Sequence, residues 1–226
     1  MGEWRGLRSP VTVYSPLLCL DLVSRSADQA TLALPLAHEH AALVLRGTAR
    51  VADQALQAYL DDRRGKGYSV TEGLGPLTAA WRTAAQQVTS ITSVAADANT
   101  VLYNDSGNNT GVGGSSNAAF GNVVDLVNLV GNNASTEPAK RFYKYARPYR
   151  WSTNVQVLPA LMPARSTTPS TDGGFPSGHS AEAVRDAIAM AYILPERFQE
   201  LVARGLELGE MRIIAGMHSQ IGRAHV

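Results

Sequence analysis

Gly173-Gly174-Phe175-Pro176-Ser177-Gly178-His179-Ser180 is the stretch from which the rest of the sequence is best read. Glycine and proline set a tight turn, and the apolar positions that follow, Ala183, Ala187, Ile188 and Ala191, recur at helical spacing. The turn therefore delivers the chain into a helix whose leading N–H groups, from Ser177 to His179, point outward with the positive end of the helix dipole behind them. Such an end is a cradle for an oxyanion.

Working outward, residues 137–147 predict a helix with Pro138 in its first turn and Pro148 just past its end. Lys140 and Arg147 lie seven residues apart on it, two helical turns, which stacks both cations on one face. Pro195 to about Ala215 predicts a further helix, with Phe198, Leu201, Val202, Leu206 and Leu208 as its apolar positions. Arg212 falls near its end, and His218 follows beyond Gly216, where the backbone can leave the helix. Earlier in the chain, Val51, Ala55, Leu56, Tyr59 and Leu60 share a helical face ahead of Arg63-Arg64-Gly65. A longer stripe, Leu77, Trp81, Ala84, Val88, Ile91 and Ala95, stands behind Gly75-Pro76. A third begins at Val123 and runs to Val130. Residues 104–117, rich in Asn, Gly and Ser, read as a solvated connector, with a pocket mouth as the alternative. Strand alternation is almost absent, so the fold class expected is all-α, a single-domain helical bundle.

Composition narrows the function. The chain has 226 residues, enough to bury about 70% of its unfolded surface. Twenty basic side chains against nineteen acidic give a net charge of +1, which removes the electrostatic case for a nucleic-acid or anionic-membrane partner. The single Cys19 forms no internal disulfide and no thiolate metal site. His38 and His40 supply two ligands, too few for a metal, and no metal site is expected. The longest uncharged stretches, 106–124 and 151–164, are Gly/Asn/Ser-rich or proline-containing, so no transmembrane helix is predicted. Arg5 and Arg8 precede an uncharged segment, but Pro10, Pro16 and Asp21 make it a poor secretory signal.

Taken together, Lys140-x6-Arg147-Pro148, Pro176-Ser177-Gly178-His179 and Arg212-x5-His218 resemble the three-part motif of the phosphatidic acid phosphatase type 2 superfamily. Phe175-Pro-Ser-Gly-His-Ser and the run from Arg204 to Ser219 are most similar to the soluble bacterial class A nonspecific acid phosphatases, with vanadium haloperoxidases as remoter relatives. The resemblance implies that Lys140, Arg147 and Arg212 hold the phosphoryl oxygens, with Ser177 and Gly178 adding donors. It implies that His218 attacks phosphorus to give a phosphohistidine, and that His179 protonates the leaving alkoxide and later activates water. No cofactor is implied, the three cations supplying the charge that Mg²⁺ provides elsewhere; vanadate enters only under the haloperoxidase alternative. A third reading is a phosphate- or phospholipid-binding module without turnover. The implied partner is a small phosphomonoester, the implied compartment periplasmic or extracellular, and a homo-oligomer stays open.

Two positions depart from the family pattern. Met211 stands where a serine is expected, and Gly222 where an aspartate is expected four residues after His218. Loss of a carboxylate behind the nucleophilic imidazole predicts impaired turnover. The final Ile221-Gly222-Arg223-Ala224-His225-Val226 is also what ATC GGA AGA GCA CAC GTC encodes, a string that resembles a sequencing-library adapter. The expected organisation is accordingly an irregular segment 1–48, a helical phosphatase domain 49–220 missing its closing helix, and a non-native tail 221–226.

Overall fold

Helical stripes in the sequence emerge as helices in the computed structural model, which describes residues 52–168 and 171–220. Among these residues there are eight α-helices and no strand. They are α1 (Ala52–Arg63), α2 (Lys66–Val70), α3 (Thr78–Ala85), α4 (Gly121–Asn132), α5 (Glu137–Tyr143), α6 (Pro148–Trp151), α7 (Gly178–Ile193) and α8 (Phe198–Ile214). The architecture is all-α, and none of the described helices is long and apolar enough to cross a membrane. Segments 1–48 and 221–226, on which the irregular start, the histidine pair and the non-native tail were expected, lie outside the described residues.

The centre is the α7–α8 pair. Ala183, Ala187 and Ala191 of α7 are buried, as expected from their spacing, and Leu201 and Leu208 of α8 are fully enclosed. Small side chains let the two helices approach closely: a Cβ on Gly205 would stand 3.0 Å from Ala187 Cβ and 3.1 Å from Ala183 O. One apolar cluster surrounds this contact, drawing in Val70, Leu74, Trp81, Val124 and Val127, with Trp81 edge-on to Phe120 at 5.0 Å. A second lies under Tyr59, Ile91, Leu161, Ile214 and Met217, towards the C-terminal end of α8.

Several expected boundaries are corrected. The stripe from Leu77 to Ala95 is helical only to Ala85, where Gln86 adopts a left-handed conformation. Beyond it the Val-Thr-Ser-rich segment has weak helix propensity, and Asp105 accepts bonds from Ser90 N and Ser90 Oγ as well as from Thr89 Oγ1, offering that backbone a better partner than a helix. Those donors, acting against burial, hold the Asp105 carboxyl down at about 2. The helix expected over 137–147 stops at Tyr143, because Lys144 turns left-handed at φ 48°. Leu56, Ile188, Phe198 and Leu206 were expected in apolar faces and are exposed instead. On α1 the buried face runs to Asp61 and Asp62, which no hydrophobic pattern marks.

The Gly205 contact is testable. Gly205→Val forces a branched side chain between α7 and α8 and is expected to cost about 1–3 kcal/mol. Urea unfolding with a lowered midpoint and an unchanged slope is the expected result. A midpoint equal to that of the unaltered chain would contradict the close approach.

Candidate functional site

At the end of α8 the chain turns through Gly216 at φ 72°, a left-handed conformation that glycine adopts freely, and a Cβ there would lie 2.5 Å from Gln156 O. The N–H groups of Met217 and His218 then both donate to Arg212 O, at 3.1 and 3.2 Å. This reversal brings the His218 ring beside the end of its own helix, with 1% of the residue exposed. Its Nδ1 lies 2.8 Å from Gly174 O. A carbonyl oxygen only accepts, so Nδ1 carries the proton and Nε2 presents its lone pair. Arg147 Nη1 donates to that lone pair at 2.5 Å and to Met217 O at 3.1 Å.

Arg147 does not stand on the helix of Lys140, contrary to the stacked pair expected from their spacing. Pro148 disfavours helical backbone at the residue before it, and Arg147 is extended at φ −60°, ψ 145°, as the cap of α6. Two of its nitrogens, Nε and Nη2, grip Asp172 at 3.0 and 2.5 Å. One loop therefore holds both groups, Arg147 through the Asp172 carboxylate and His218 through the Gly174 carbonyl. Lys140 remains on α5, with Nζ 2.7 Å from Glu137 Oε1 and 3.9 Å from where a Cβ on Gly178 would stand. Its ammonium thus lies at the start of α7.

Ser177 is buried and caps α7, its hydroxyl accepting from Ser180 N at 3.3 Å. The first-turn N–H groups of Gly178 and His179 have no acceptor within the helix by geometry. Arg212 is buried against Asp62, its Nη1 in contact with Asp62 Oδ2. Its Nε makes no hydrogen bond among the described residues, which leaves one strong buried donor unsatisfied. Burial pushes the Arg212 pKa down to about 10, with Asp61 opposing.

Both imidazoles are held well below the ordinary histidine value. For His218 the cause is burial, then Arg147 and Arg212, with the Gly174 bond opposing. For His179 it is burial, then Lys66, Arg147, Lys140 and Arg63. Arg147 contributes to both shifts.

Sequence reasoning missed the carboxylates Asp62 and Asp172, and also Lys66, Glu182 and Asp186. Lys66 Nζ donates to the carbonyls of Asp61, Asp62 and Arg64 at the end of α1, at 3.0, 3.2 and 2.6 Å. Burial lowers it to about 8, against Glu182 and Asp61. Asp186, 3% exposed on α7, is raised by burial and by Glu182 to about 8. The one legible signal was the spacing His179, Glu182, Asp186, which puts all three on one side of α7.

Two cavities open here. One, about 430 Å³, lies among Asp62, Arg63 and the loop Asn104–Thr110, so the expected connector walls a pocket. The other, about 260 Å³, lies beside His179 and Glu182. Among the described residues no group of three or more His, Cys, Asp or Glu is placed to hold a metal ion.

All of the site residues expected from the sequence fall in one stretch that comparison recognises. Residues 123–221 match the PAP2 superfamily. The chain is similar to curated proteins named non-specific acid phosphatase: 33% identical over 99 residues to one from Salmonella typhi, 32% over 99 to one from Salmonella typhimurium and 31% over 101 to one from Providencia stuartii. The matched region is 44%, 44% and 42% of this chain and 38% of each relative. No solved structure gives a significant match. Asp62 and Lys66 lie outside the PAP2 stretch, on α1 and α2.

The geometry makes two checks available. Nitrogen-15 NMR of the His218 ring near neutral pH is expected to show Nδ1 protonated and Nε2 unprotonated; the opposite tautomer, or an imidazolium, would contradict the Gly174 bond. Asp186 is protonated in the fold up to about pH 8 and ionised in the unfolded chain above the ordinary aspartate value of 3.8. Its contribution to stability is therefore complete below that lower value and is lost as pH rises towards about 8. Asp186→Asn lacks this dependence, so its melting temperature relative to the unaltered chain should climb across that window. A difference independent of pH would show the carboxyl to be ionised in the fold.

Proposed function

We propose that this chain hydrolyses phosphomonoesters through a phosphohistidine formed on His218. The observation that carries the reading is the buried, Nδ1-protonated ring whose Nε2 lone pair faces the Arg147 guanidinium. A substrate phosphoryl group takes over Arg147 Nη1 and the unsatisfied Arg212 Nε, with Lys140 and the leading N–H groups of α7 completing the cradle. Nε2 then attacks phosphorus as the ester P–O bond breaks, and His179 gives its proton to the leaving alkoxide. In the second half, His179 accepts a proton from water, the water oxygen bonds to phosphorus, the N–P bond breaks, and inorganic phosphate leaves.

The curated relatives' shared name supports the phosphatase class. We place the activity outside the cytoplasm, as the resemblance implies. Gly174 O fixes the tautomer of His218 but brings no full negative charge to the developing imidazolium, so turnover slower than with a carboxylate in that place is expected.

Release of p-nitrophenol from p-nitrophenyl phosphate between about pH 4 and 8 tests the reading. His218→Ala should abolish phosphoenzyme formation. His179→Ala should slow alkyl phosphates, with their poor leaving groups, far more than the nitrophenyl ester. Because the His179 pKa is depressed in the free site, kcat/KM for alkyl phosphates should rise as pH falls from about 7 to about 5. Background release from folded protein would overturn the proposal.

A further inference from the structure

The smaller cavity has a chemistry that the phosphate cradle does not use. It opens beside His179, the residue proposed above to protonate the leaving group, and its walls include Glu182 of α7 together with Asn132, Ser135 and Thr136 before α5. Phe, Tyr, Trp and branched aliphatic side chains are absent from its lining. Arg185 also borders it, but Arg185 Nε and Nη2 both donate to Gly131 O, at 3.0 and 2.7 Å, and Nη2 donates again to Ala134 O at 3.0 Å. That cation is engaged on the rim backbone. Glu137 is engaged as well, by Lys140. Glu182 differs: among the described residues no hydrogen bond or ion pair occupies its carboxylate, although the side chain is partly buried.

His179 and Glu182 are three residues apart on α7, so their Cβ atoms are about 5–6 Å apart on one face. An ester oxygen held at the imidazole therefore places a substituent two or three bonds further along the alcohol within reach of the carboxylate. We propose that this cavity is the leaving-group pocket and that Glu182 makes it selective for phosphate esters of alcohols carrying a hydrogen-bond donor, hydroxyl or ammonium, next to the ester carbon. The inference rests on the phosphatase reading above and adds the substrate class. A donor-free alkyl or aryl group gains nothing from the polar wall and leaves the carboxylate without a partner when the pocket closes over it.

Glycerol 1-phosphate, phosphoethanolamine and n-propyl phosphate, which have short chains of similar size, separate the possibilities. For the unaltered chain, kcat/KM should be about tenfold higher for the two donor-bearing esters than for n-propyl phosphate. In Glu182→Ala the ratio should fall towards one, and in Glu182→Gln, which keeps an acceptor oxygen, it should be intermediate for glycerol 1-phosphate and lower for phosphoethanolamine. Preference for glycerol 1-phosphate alone assigns the donor as hydroxyl, and for phosphoethanolamine alone as ammonium. A ratio near one in the unaltered chain, or one that Glu182→Ala leaves unchanged, overturns the inference while the phosphatase reading stands. Should none of the esters be hydrolysed, the phosphatase reading falls, and calorimetric binding of the same three compounds then decides: equal affinities overturn the pocket as well.

Discussion

Charge burial at the junction of α1 and α8 is the constraint on which the rest depends. Arg204 and Arg212 both point from α8 into the protein interior, where an unpaired guanidinium is untenable. Two adjacent residues at the end of α1 answer them. Asp61 grips Arg204 through two bonds of 3.0 and 2.5 Å, and Asp62 lies against Arg212. Removing one partner of such a buried pair typically costs about 3–5 kcal/mol, because the other charge is stranded. The part of the chain without a recognisable motif thus supplies the counter-charges that let the PAP2 stretch bury its arginine.

The same arrangement recurs at each cation of the cradle. Lys140 rests on Glu137, Arg147 on Asp172 and Arg212 on Asp62, so the site is not an empty positive hole awaiting an anion. Each carboxylate fixes its cation in direction, and on the proposed reading the donors that turn to an oxyanion are Arg147 Nη1, which in the free site donates to His218 Nε2 and Met217 O, and the unbonded Arg212 Nε. On the proposed reading, a substrate entering such a site exchanges a few hydrogen bonds and leaves the ion pairs in place. Little reorganisation is then required at the moment of reaction, which is where electrostatic catalysis derives its strength.

Most of the fold was legible because α7 and α8 announce themselves by helical spacing and because Gly216 and the 173–180 turn mark where the chain changes direction. The errors have local causes. Periodicity alone carried α3 past Ala85, whereas the side chains of Thr89, Ser90 and Asp105 had a better use for the backbone than a helix. Spacing alone placed Lys140 and Arg147 on one helix, although the proline after Arg147 already disfavoured helical backbone there. The cations and imidazoles were singled out because their types and order carry a resemblance. Their carboxylate partners were not, since nothing in a sequence says that residue 172 will meet residue 147, or residue 62 residue 212.

Position 222 shows where sequence and structure must be weighed together. The pattern calls for an aspartate behind the nucleophilic ring, and its absence argues for a lost tautomer as well as a lost charge. The structure separates those two losses. Gly174 O occupies Nδ1 at 2.8 Å, so the ring is oriented by main chain belonging to the same turn that leads into α7. What the carbonyl cannot supply is the opposing charge, and here that absence is compounded, since Arg147 and Arg212 both disfavour a positive imidazole at His218. In the proposed mechanism a dianionic phosphoryl group bound between those arginines offsets them, so positive charge on the His218 ring is tolerable only while that group is present, and the resting ring stays neutral.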